Sequence, residues 1–472
     1  MLKHIIKREI LDNLMSLRFS LTLILVVIIM FVSAILFISD YKETRSAYTV
    51  NTQENLKQLE KTFETTKMPG TLWRVMSFSD QWVYKGISDL TFIADGYDKE
   101  LPNAFTVRPF ETTGPHTRLR TNPLLQPFEN LDWSLIIGVI MSFAAIVLTF
   151  DAISGDRERG TLKFSVSNPV PRATILLGKY IGALVSLMTP LLIGILLNVI
   201  IIAIAGVVPM NASVYARIGI VSLFSLLYVA SFASLGMFVS SVTRESSTSL
   251  IILLLSWAIL VIVIPGIGGV IASRAVVIPS YGKAQSDARD AGERAKDEYL
   301  AQHPEMNGIA FGSGRWSPGE NLAGPLSADL ARDNMLYQYR TEMIRQVTAG
   351  QNVSRISPLG LYKNAVETIA GTGIGHYDSF MKQVKQYRDL LKDIMLDKYP
   401  LDPNKAYYSF DEFGKVMDKV EFKLNDFPEF HEKPIAMGDT AKAAVWDIFF
   451  LFLFSLIFFM GSVVAFLRYD VR

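Results

Sequence analysis

The distribution of apolar residues predicts six membrane-spanning helices. A bilayer core about 30 Å thick requires about 20 apolar residues at the helical rise of about 1.5 Å per residue. Stretches that approach or exceed this length, with few or no charges, lie at 19–38, 133–150, 180–206, 218–240, 248–265 and 446–467. The chain between them is polar, so the pattern indicates a membrane protein with large water-facing parts.

Two of the polar segments are long, and they follow the first and fifth spans. Segment 39–132 opens with a run at 41–66 that favours helix and would extend the first span. In the same segment, SDLTFIADG and FTVRPFETT are typical of short strands, so we expect a small α+β unit there.

Segment 266–445 has the periodicity of helices at 283–302, 326–348 and 379–398, with a loop at 308–325. Pro265 and the glycines that follow it predict that the helix of the fifth span stops there.

Basic residues in the short connections predict the orientation. The N-terminal segment 1–18, the loop 151–179, the turn around Arg244 and the C-terminus hold twelve Lys and Arg residues, whereas the short loop 207–217 holds only Arg217. Because basic loops stay in the cytoplasm, both termini are expected there and the two long segments outside. Trp133 and Trp446 would then lie at the outer membrane interface, the depth that tryptophan prefers.

Residues 1–18 carry apolar pairs at nearly helical spacing. This spacing favours an amphipathic helix that lies at the inner interface before the first span. The alternative is a polar extension that contains some apolar residues.

The composition of the chain argues against several classes of function. The 472 residues are 50% hydrophobic and 19% charged with a net charge of +1, which argues against a soluble enzyme and against nucleic acid as a partner. Without cysteine there is no disulfide or thiol chemistry. Asp402–Pro403–Asn404 begins like a calcium loop, but Ala406 breaks its ligand spacing. We therefore predict no catalytic, cofactor or metal residue in this chain.

A phosphate-binding P-loop is also missing from the sequence. Each Gly–Lys pair lacks the Ser or Thr that must follow it in such a loop. We therefore do not expect the chain to hydrolyse ATP alone.

The loop 151–179 has the most distinctive pattern of the chain. Asp156–Arg157–Glu158–Arg159 is a dense cluster of mixed charge, and Gly160 ends it. A short helix of this kind at the membrane surface suits docking to a soluble partner, because mixed charge gives specificity and register. The alternative is a membrane anchor with solvated charges.

Two strings in and after this loop resemble the type-2 ABC exporter permeases, and are similar to the permeases of copper-enzyme maturation operons. They are DRERGTL at 156–162 and NPVPRATILLGKYIGALV at 168–185, and Asp156 stands where the family often has glutamate. The ISPLGLYKNAVETIAGTG stretch at 356–373 is similar to insertions of longer bacterial members. The resemblance implies an all-α membrane protein of six transmembrane helices in the bacterial cytoplasmic membrane.

The resemblance also implies partners. A separate ABC ATPase subunit would bind ATP and Mg²⁺, a second copy or a paralogous permease would complete the membrane part, and a periplasmic protein is a further candidate. The residues that would couple this chain to the ATPase are Asp156, Arg157, Glu158, Arg159, Gly160, Thr161, Leu162 and Arg172.

Polar residues inside the spans are a second candidate site. The spans contain almost no charge, which argues against a proton- or sodium-driven pump. Hydroxyl and amide groups do occur, and they could line a substrate path or serve helix packing. The candidates are Asn198, Ser222, Ser225, Tyr228 and Ser231.

Three functions fit this sequence. The first is the permease subunit of an ATP-driven exporter. The second is a mechanical transducer, driven by the same ATPase, that acts on an envelope protein without transport. The third is a membrane-anchored outer scaffold or enzyme, which would leave the DRERGTL loop without a role.

Overall fold

The structure is a computed structural model that describes residues 2–65, 80–97, 101–109, 112–116, 131–162, 171–304, 315–316, 324–397, 408–417 and 428–468. The rejected calcium loop at 402–404, residues 163–170 of the DRERGTL-containing loop and most of the predicted loop at 308–325 lie outside these ranges.

The described chain is mainly helical. In order, the elements are α1 (Leu2–Leu14), α2 (Leu17–Thr65), β1 (Gln81–Tyr84), β2 (Ala104–Val107), β3 (Thr112–His116), α3 (Trp133–Thr149), α4 (Ser154–Glu158), α5 (Arg172–Ala205), α6 (Ala212–Val242), α7 (Ser246–Ala275), α8 (Tyr281–Gln302), β4 (Arg315–Trp316), α9 (Gly324–Ser354), α10 (Pro358–Ala370), α11 (Ile374–Asp397), β5 (Tyr408–Ser409), α12 (Phe410–Met417) and α13 (Met437–Leu467).

Within the described ranges, six helical stretches are long and apolar enough to cross a membrane, namely α2, α3 continued through α4 (Trp133–Glu158), α5, α6, α7 and α13. This is the number that the apolar runs predict. The bundle has two faces. We call the one that carries α1, α4 and the carboxyl end of α13 the termini face, and the opposite one, where the two long insertions lie, the insertion face.

Helix α2 continues far beyond its apolar run. It has 49 residues, so it is roughly 73 Å long and extends some 40 Å past the bilayer core. Its outer half lies against the small sheet, where the Trp82 N–H donates to the Asn55 side chain at 3.4 Å. The predicted helical continuation at 41–66 is therefore confirmed.

Helix α7 does not stop at Pro265, and the predicted stop is wrong. A π-helical stretch, Ala258–Val263, precedes the proline, and the helix runs on to Ala275. There α7 packs against the end of α9, where a Cβ added to Gly268 would lie 2.8 Å from the Gly350 carbonyl oxygen. This packing against α9 holds the extra turns in place.

The first insertion contains a three-stranded antiparallel sheet in the order β1–β2–β3. FTVRPFETT contributes to β2 and β3 as predicted, whereas the strand predicted for SDLTFIADG is wrong because residues 89–93 form turns. The apolar residues of SDLTFIADG are nevertheless buried, among them Phe92 and Ile93. They cap the bundle, since their carbonyl oxygens accept from the first backbone N–H groups of α3.

The second insertion is helical as predicted, with α8, α9 and α11 at the three expected places. The apolar stripe of α11 forms the core of this insertion, and Phe380, Leu391 and Met395 are completely buried in it. Inside it, Arg388 and Asp333 form a buried ion pair that joins α11 to α9.

The two tryptophans expected at the membrane interface differ. Trp446 is 67% exposed on the bundle surface, whereas Trp133 is completely buried. The Trp133 indole donates to the Asn198 side chain at 3.1 Å and its ring packs against Phe92. Trp133 is therefore a core residue, and its depth relative to the membrane stays a prediction.

Candidate functional site

The candidate coupling site begins at helix α4, which is fixed to the end of α6. The hydroxyl of Ser240 accepts from the backbone N–H groups of Ile153 and Ser154, each at 3.0 Å. Ser154 and Ser240 are completely buried. The start of α4 is thus held against α6 by a serine that lies more than 80 residues away in the sequence.

Arg157 binds the carboxyl end of α6. Its guanidinium donates to the carbonyl oxygens of Thr243 and Ser241. The last carbonyls of a helix have no intrahelical donor and carry the negative end of the helix dipole, so a cation is favourable there.

Glu158 binds the amino end of α7. One carboxylate oxygen accepts from the Ser246 hydroxyl at 2.8 Å and from the Ser246 N–H at 3.2 Å. The first N–H groups of a helix favour an anion. Neighbouring residues of opposite charge therefore hold the two sides of the turn between α6 and α7, and a displacement of α4 would act on both helices.

Asp156 points the other way, into a buried ion cluster. The ammonium of Lys179 lies 2.8 Å from Asp156 and 2.8 Å from Glu9. Lys179 is only 9% exposed. This cluster ties α4 to α5 and to the N-terminal helix α1.

Helix α1 can approach α5 closely because two glycines face it. A Cβ added to Gly178 would lie 2.6 Å from Ile5, and one added to Gly182 would lie 2.6 Å from Glu9. The N-terminal helix predicted from the apolar pairs is therefore present, and it packs on the helix that follows the DRERGTL loop.

The end of the site is partly open to solvent. The Arg159 side chain is 68% exposed, and Gly160 has φ +75°, in the left-handed region that favours glycine. Thr161 is exposed as well, whereas Leu162 is buried. Glu158 is exposed as well, so a partner can contact residues 158–161 of this loop within the described ranges.

Leu162 and Arg172 link this loop to the end of α13. Leu162 packs in a cluster with Phe466, and Arg172 donates to the Leu467 carbonyl oxygen at 3.2 Å. The eight residues predicted for coupling therefore divide into internal links and an exposed edge.

The five polar candidates in the spans each make a hydrogen bond within the chain. Asn198 donates to the Met30 carbonyl oxygen at 2.8 Å and accepts from Trp133, and Tyr228 donates to the Gly138 carbonyl oxygen at 2.6 Å. Ser222, Ser225 and Ser231 each donate to a carbonyl oxygen of their own helix. A substrate path along them stays a prediction.

Helix α10 is a feature of the site that the sequence reasoning did not place. It lies among α3, α6, α7 and α13, and Tyr362 stacks on Tyr228 near the middle of α6. From there α10 rises to the insertion face, where Arg217 donates to the Ile369 carbonyl oxygen at 2.9 Å. It is thus a re-entrant helix that fills the bundle from the insertion face.

Ser357 explains how α10 is anchored at depth. Its hydroxyl accepts from the N–H groups of Leu359 and Gly360 and donates to the Leu260 carbonyl oxygen at 2.6 Å. In the π-helical register the carbonyl oxygen of Leu260 would accept from residue 265, which is proline and has no N–H. Ser357 supplies the missing donor, so α7 and α10 depend on each other.

A second contact fixes the same end of α10. Just before the helix begins, Arg355 makes two hydrogen bonds to the carboxylate of Asp447 on α13, at 2.7 and 3.1 Å. A paired arginine fork of this type is geometrically specific. It holds the turn between α9 and α10 against α13.

Comparison with known proteins gives the class. The family model described as ABC-2 family transporter protein matches residues 4–471, nearly the whole chain. The chain therefore belongs to the ABC-2 family of transporter permeases, which confirms the resemblance seen in the sequence. No curated protein matches it. Together with the six apolar helices, membership makes it a multi-pass membrane permease subunit of an ABC transporter.

Proposed function

We propose that this chain receives the stroke of a separate ABC ATPase subunit on its termini face and converts it into export across the membrane. The observation that carries the proposal is the paired binding of Arg157 and Glu158 to the two sides of the turn between α6 and α7. A push on the exposed residues 158–161 would reach both helices through these bonds.

The proposed cycle then involves α10. Helix α10 packs on α6 and α13, and its deep end binds α7 through Ser357. Movement of α6 and α7 relative to each other would loosen α10 and open the insertion face. The working unit would be two permeases, identical or paralogous, with two ATPase subunits that hold ATP and Mg²⁺. It would lie in the bacterial cytoplasmic membrane with both termini inside, and the insertions would hand cargo to a periplasmic partner.

The first experiment identifies the ATPase. The tagged chain is purified from its native membrane in mild detergent, and co-purifying proteins are measured by mass spectrometry. We expect an ATPase with a P-loop in stoichiometric amount, and its loss when Arg159→Glu is combined with Thr161→Glu. A chain that arrives alone would contradict the proposal and favour the scaffold function.

The second experiment tests coupling. Glu158→Gln removes the charge that binds Ser246. Glu245→Gln is a matched control, because Glu245 carries the same charge beside the same turn and its carboxylate accepts from the Thr248 hydroxyl of α7 at 3.5 Å. We expect Glu158→Gln to retain the ATPase subunit but to separate ATP hydrolysis from movement of α10. Normal movement in Glu158→Gln would contradict the assignment.

Movement of α10 can be measured with a thiol reagent that does not cross membranes. The chain has no cysteine, so Ser225→Cys supplies a single thiol at a completely buried position where α6 contacts Tyr362 on α10. We expect this thiol to react only during ATP turnover. Lys57→Cys, at an exposed position on α2, should react at all times.

The mechanical transducer is a second candidate, and the long helices favour it. Helix α2 and the extension of α7 run without interruption into the two insertions. If the chain is a transducer, ATP turnover would change the distance between spin labels on the two insertions. The thiol of Ser225→Cys would stay protected from the reagent throughout turnover. Reaction of that thiol with the reagent would contradict the transducer.

A further inference from the structure

A groove of about 590 Å³ lies where α2 leaves its apolar run, beside the turn between α5 and α6. Residues between Tyr41 and Val50 on α2 form one wall, and Gly206, Val207 and Pro209 of the turn form the other. Gly206 has φ +61°, and apart from its own neighbours no atom of the described chain lies within 4 Å of a Cβ added there. The volume is typical of sites for small ligands.

The groove lies at the depth of lipid headgroups. The apolar run of α2 ends at Ile38, and Lys42 follows four residues later, which is about 6 Å along the helix. The polar layer on each side of the hydrocarbon core is about 5–8 Å thick. The Lys42 ammonium can therefore reach the lipid phosphates of the leaflet on the insertion face.

Two cations line the groove, and its lining within the described part of the chain contains no carboxylate. Lys42 is exposed, and the side chain of Arg45 is 55% exposed. They are three residues apart and therefore share one face of α2. Asp40 and Glu43 are close in sequence, but positions one or two apart on a helix do not face each other. The groove is therefore positive and attracts an anion.

The protein itself holds the arginine of the groove in place. Arg45 Nη1 donates to the Tyr41 hydroxyl at 2.8 Å and lies 4.0 Å from Asp89. Asp89 offsets part of the charge of Arg45, but both contacts use the same nitrogen. Because a guanidinium has five N–H donors, Nε and Nη2 can still bind a phosphate.

An apolar surface continues from the groove into the membrane. Ile35 and Ile28 lie seven and fourteen residues before Lys42, so they share its face of α2, and both are exposed. On α5, which packs against α2, Ile200 and Ile204 are exposed just below the turn. The surface is thus cationic at headgroup depth and apolar beneath, in the order of a phospholipid's own parts.

We propose that this groove binds an anionic phospholipid, with its phosphate on Lys42 and Arg45 and its acyl chains along α2 and α5. A glycerol headgroup would extend toward the hydroxyls of Ser46 and Thr49. The ammonium of an ethanolamine headgroup would instead meet two cations in a lining without a carboxylate. The bound lipid joins α2 to the turn that precedes α6. The inference goes beyond the coupling function and does not depend on it.

Native mass spectrometry tests the selectivity of the groove. The full chain is released from nanodiscs that contain equal amounts of phosphatidylglycerol and phosphatidylethanolamine, and the retained lipids are counted. We expect the wild type to retain phosphatidylglycerol in preference. Lys42→Gln should reduce this retention about fivefold, since a basic residue near the membrane surface contributes about that factor to the binding of anionic lipid. Lys42→Arg keeps the charge and should retain the lipid.

Lys442→Gln is the matched control. Lys442 precedes the apolar run of α13 by the same four residues, is exposed, and pairs with Asp439 at 3.6 Å outside the groove. Its substitution should leave the retention of phosphatidylglycerol unchanged. Equal retention of the two lipids by the wild type would overturn the proposal. So would the same loss in Lys42→Gln and Lys442→Gln, because the lipid would then respond only to the overall charge.

A second variant and a second measurement check the same site. Ser46→Glu places a carboxylate one turn from Lys42 on the same face of α2, where it would pair with the ammonium. Added phosphatidylglycerol should raise the melting temperature of the wild type and of Lys442→Gln in an uncharged detergent, since a ligand of the folded state stabilises it. It should not raise that of Lys42→Gln or Ser46→Glu. An equal rise in all four proteins would place the lipid elsewhere and overturn the proposal.

Discussion

Single glycines decide how closely the helices approach. Gly236 lies where α6 crosses α3, and a Cβ added there would lie 1.9 Å from the Thr149 hydroxyl. Gly219 lies on the same helix α6 with nothing within 4 Å of an added Cβ. Alanine substitutions at these two positions therefore distinguish the cost of a steric contact between helices from the gain in helix propensity.

We expect Gly236→Ala to destabilise the protein by about 1–3 kcal/mol, because α3 and α6 must move apart. Gly219→Ala should be neutral or stabilise it by up to about 1 kcal/mol, as alanine favours helix. Thermal unfolding in detergent measures both. Equal effects of the two substitutions would show that α3 and α6 do not pack closely at Gly236.

His376 makes stability depend on pH. Its pKa is lowered from 6.5 to about 4 by burial and by the charges of Lys85 and Arg217. The unfolded chain therefore binds more protons than the folded chain between these values, so stability falls as pH decreases through this window and is complete above 6.5.

We expect the loss of thermal stability between pH 7.5 and pH 5 to be smaller in His376→Gln than in the wild type. The comparison uses melting temperatures at both pH values, and the difference between the two proteins cancels the contribution of all other groups. An identical loss in both would mean that His376 titrates normally in the folded chain.

At the scale of elements, α7 and α10 form one unit through the Leu260 carbonyl oxygen. Ser357→Ala removes the hydroxyl that donates to this oxygen and that also caps α10. We expect a loss of about 1–3 kcal/mol, with faster hydrogen exchange in 358–370 than in the rest of the bundle. Ser273→Ala is the control, since Ser273 is exposed and bonds only within its own helix. Unchanged exchange in 358–370 would contradict this anchoring role.

Most helices of this protein can be predicted from the sequence, but the place of α10 inside the bundle cannot. The six spans follow from apolar run length, and α11 follows from its stripe, because both signals are local. The boundaries of α10 also have local signals, with Ser357–Pro358 at its start and Gly371 after its end. Its place inside the bundle has none, since burial among four helices depends on tertiary contacts.

The same limit applies to the coupling loop. The charges of Arg157 and Glu158 stand out in the sequence, but Thr243 and Ser246, which they bind, lie 86 and 88 residues away. The apolar residues of SDLTFIADG are typical of a strand, whereas in the structure they are buried against α3 in a turn. A strand and a buried turn share this composition, and only contacts with distant residues such as Trp133 distinguish them.

At the scale of the whole molecule, the orientation in the membrane can be tested directly. We expect single cysteines at Thr161 and Arg8 to be protected from an impermeant reagent in intact cells, and cysteines at Lys57 and Lys283 to react. The chain has no cysteine of its own, so each signal reports one site. The reverse pattern would place both termini outside and contradict the distribution of basic residues.

Helix α2 contains neither proline nor glycine between Leu17 and Thr65, and sharp kinks in helices usually need such residues. With its apolar half held in the bilayer, α2 would move as a rigid lever whose fulcrum lies there. With roughly 40 Å beyond the membrane, a tilt of about 5° displaces its far end by about 3.5 Å. A rearrangement too small to open the bundle would still move the first insertion by about the width of an atom.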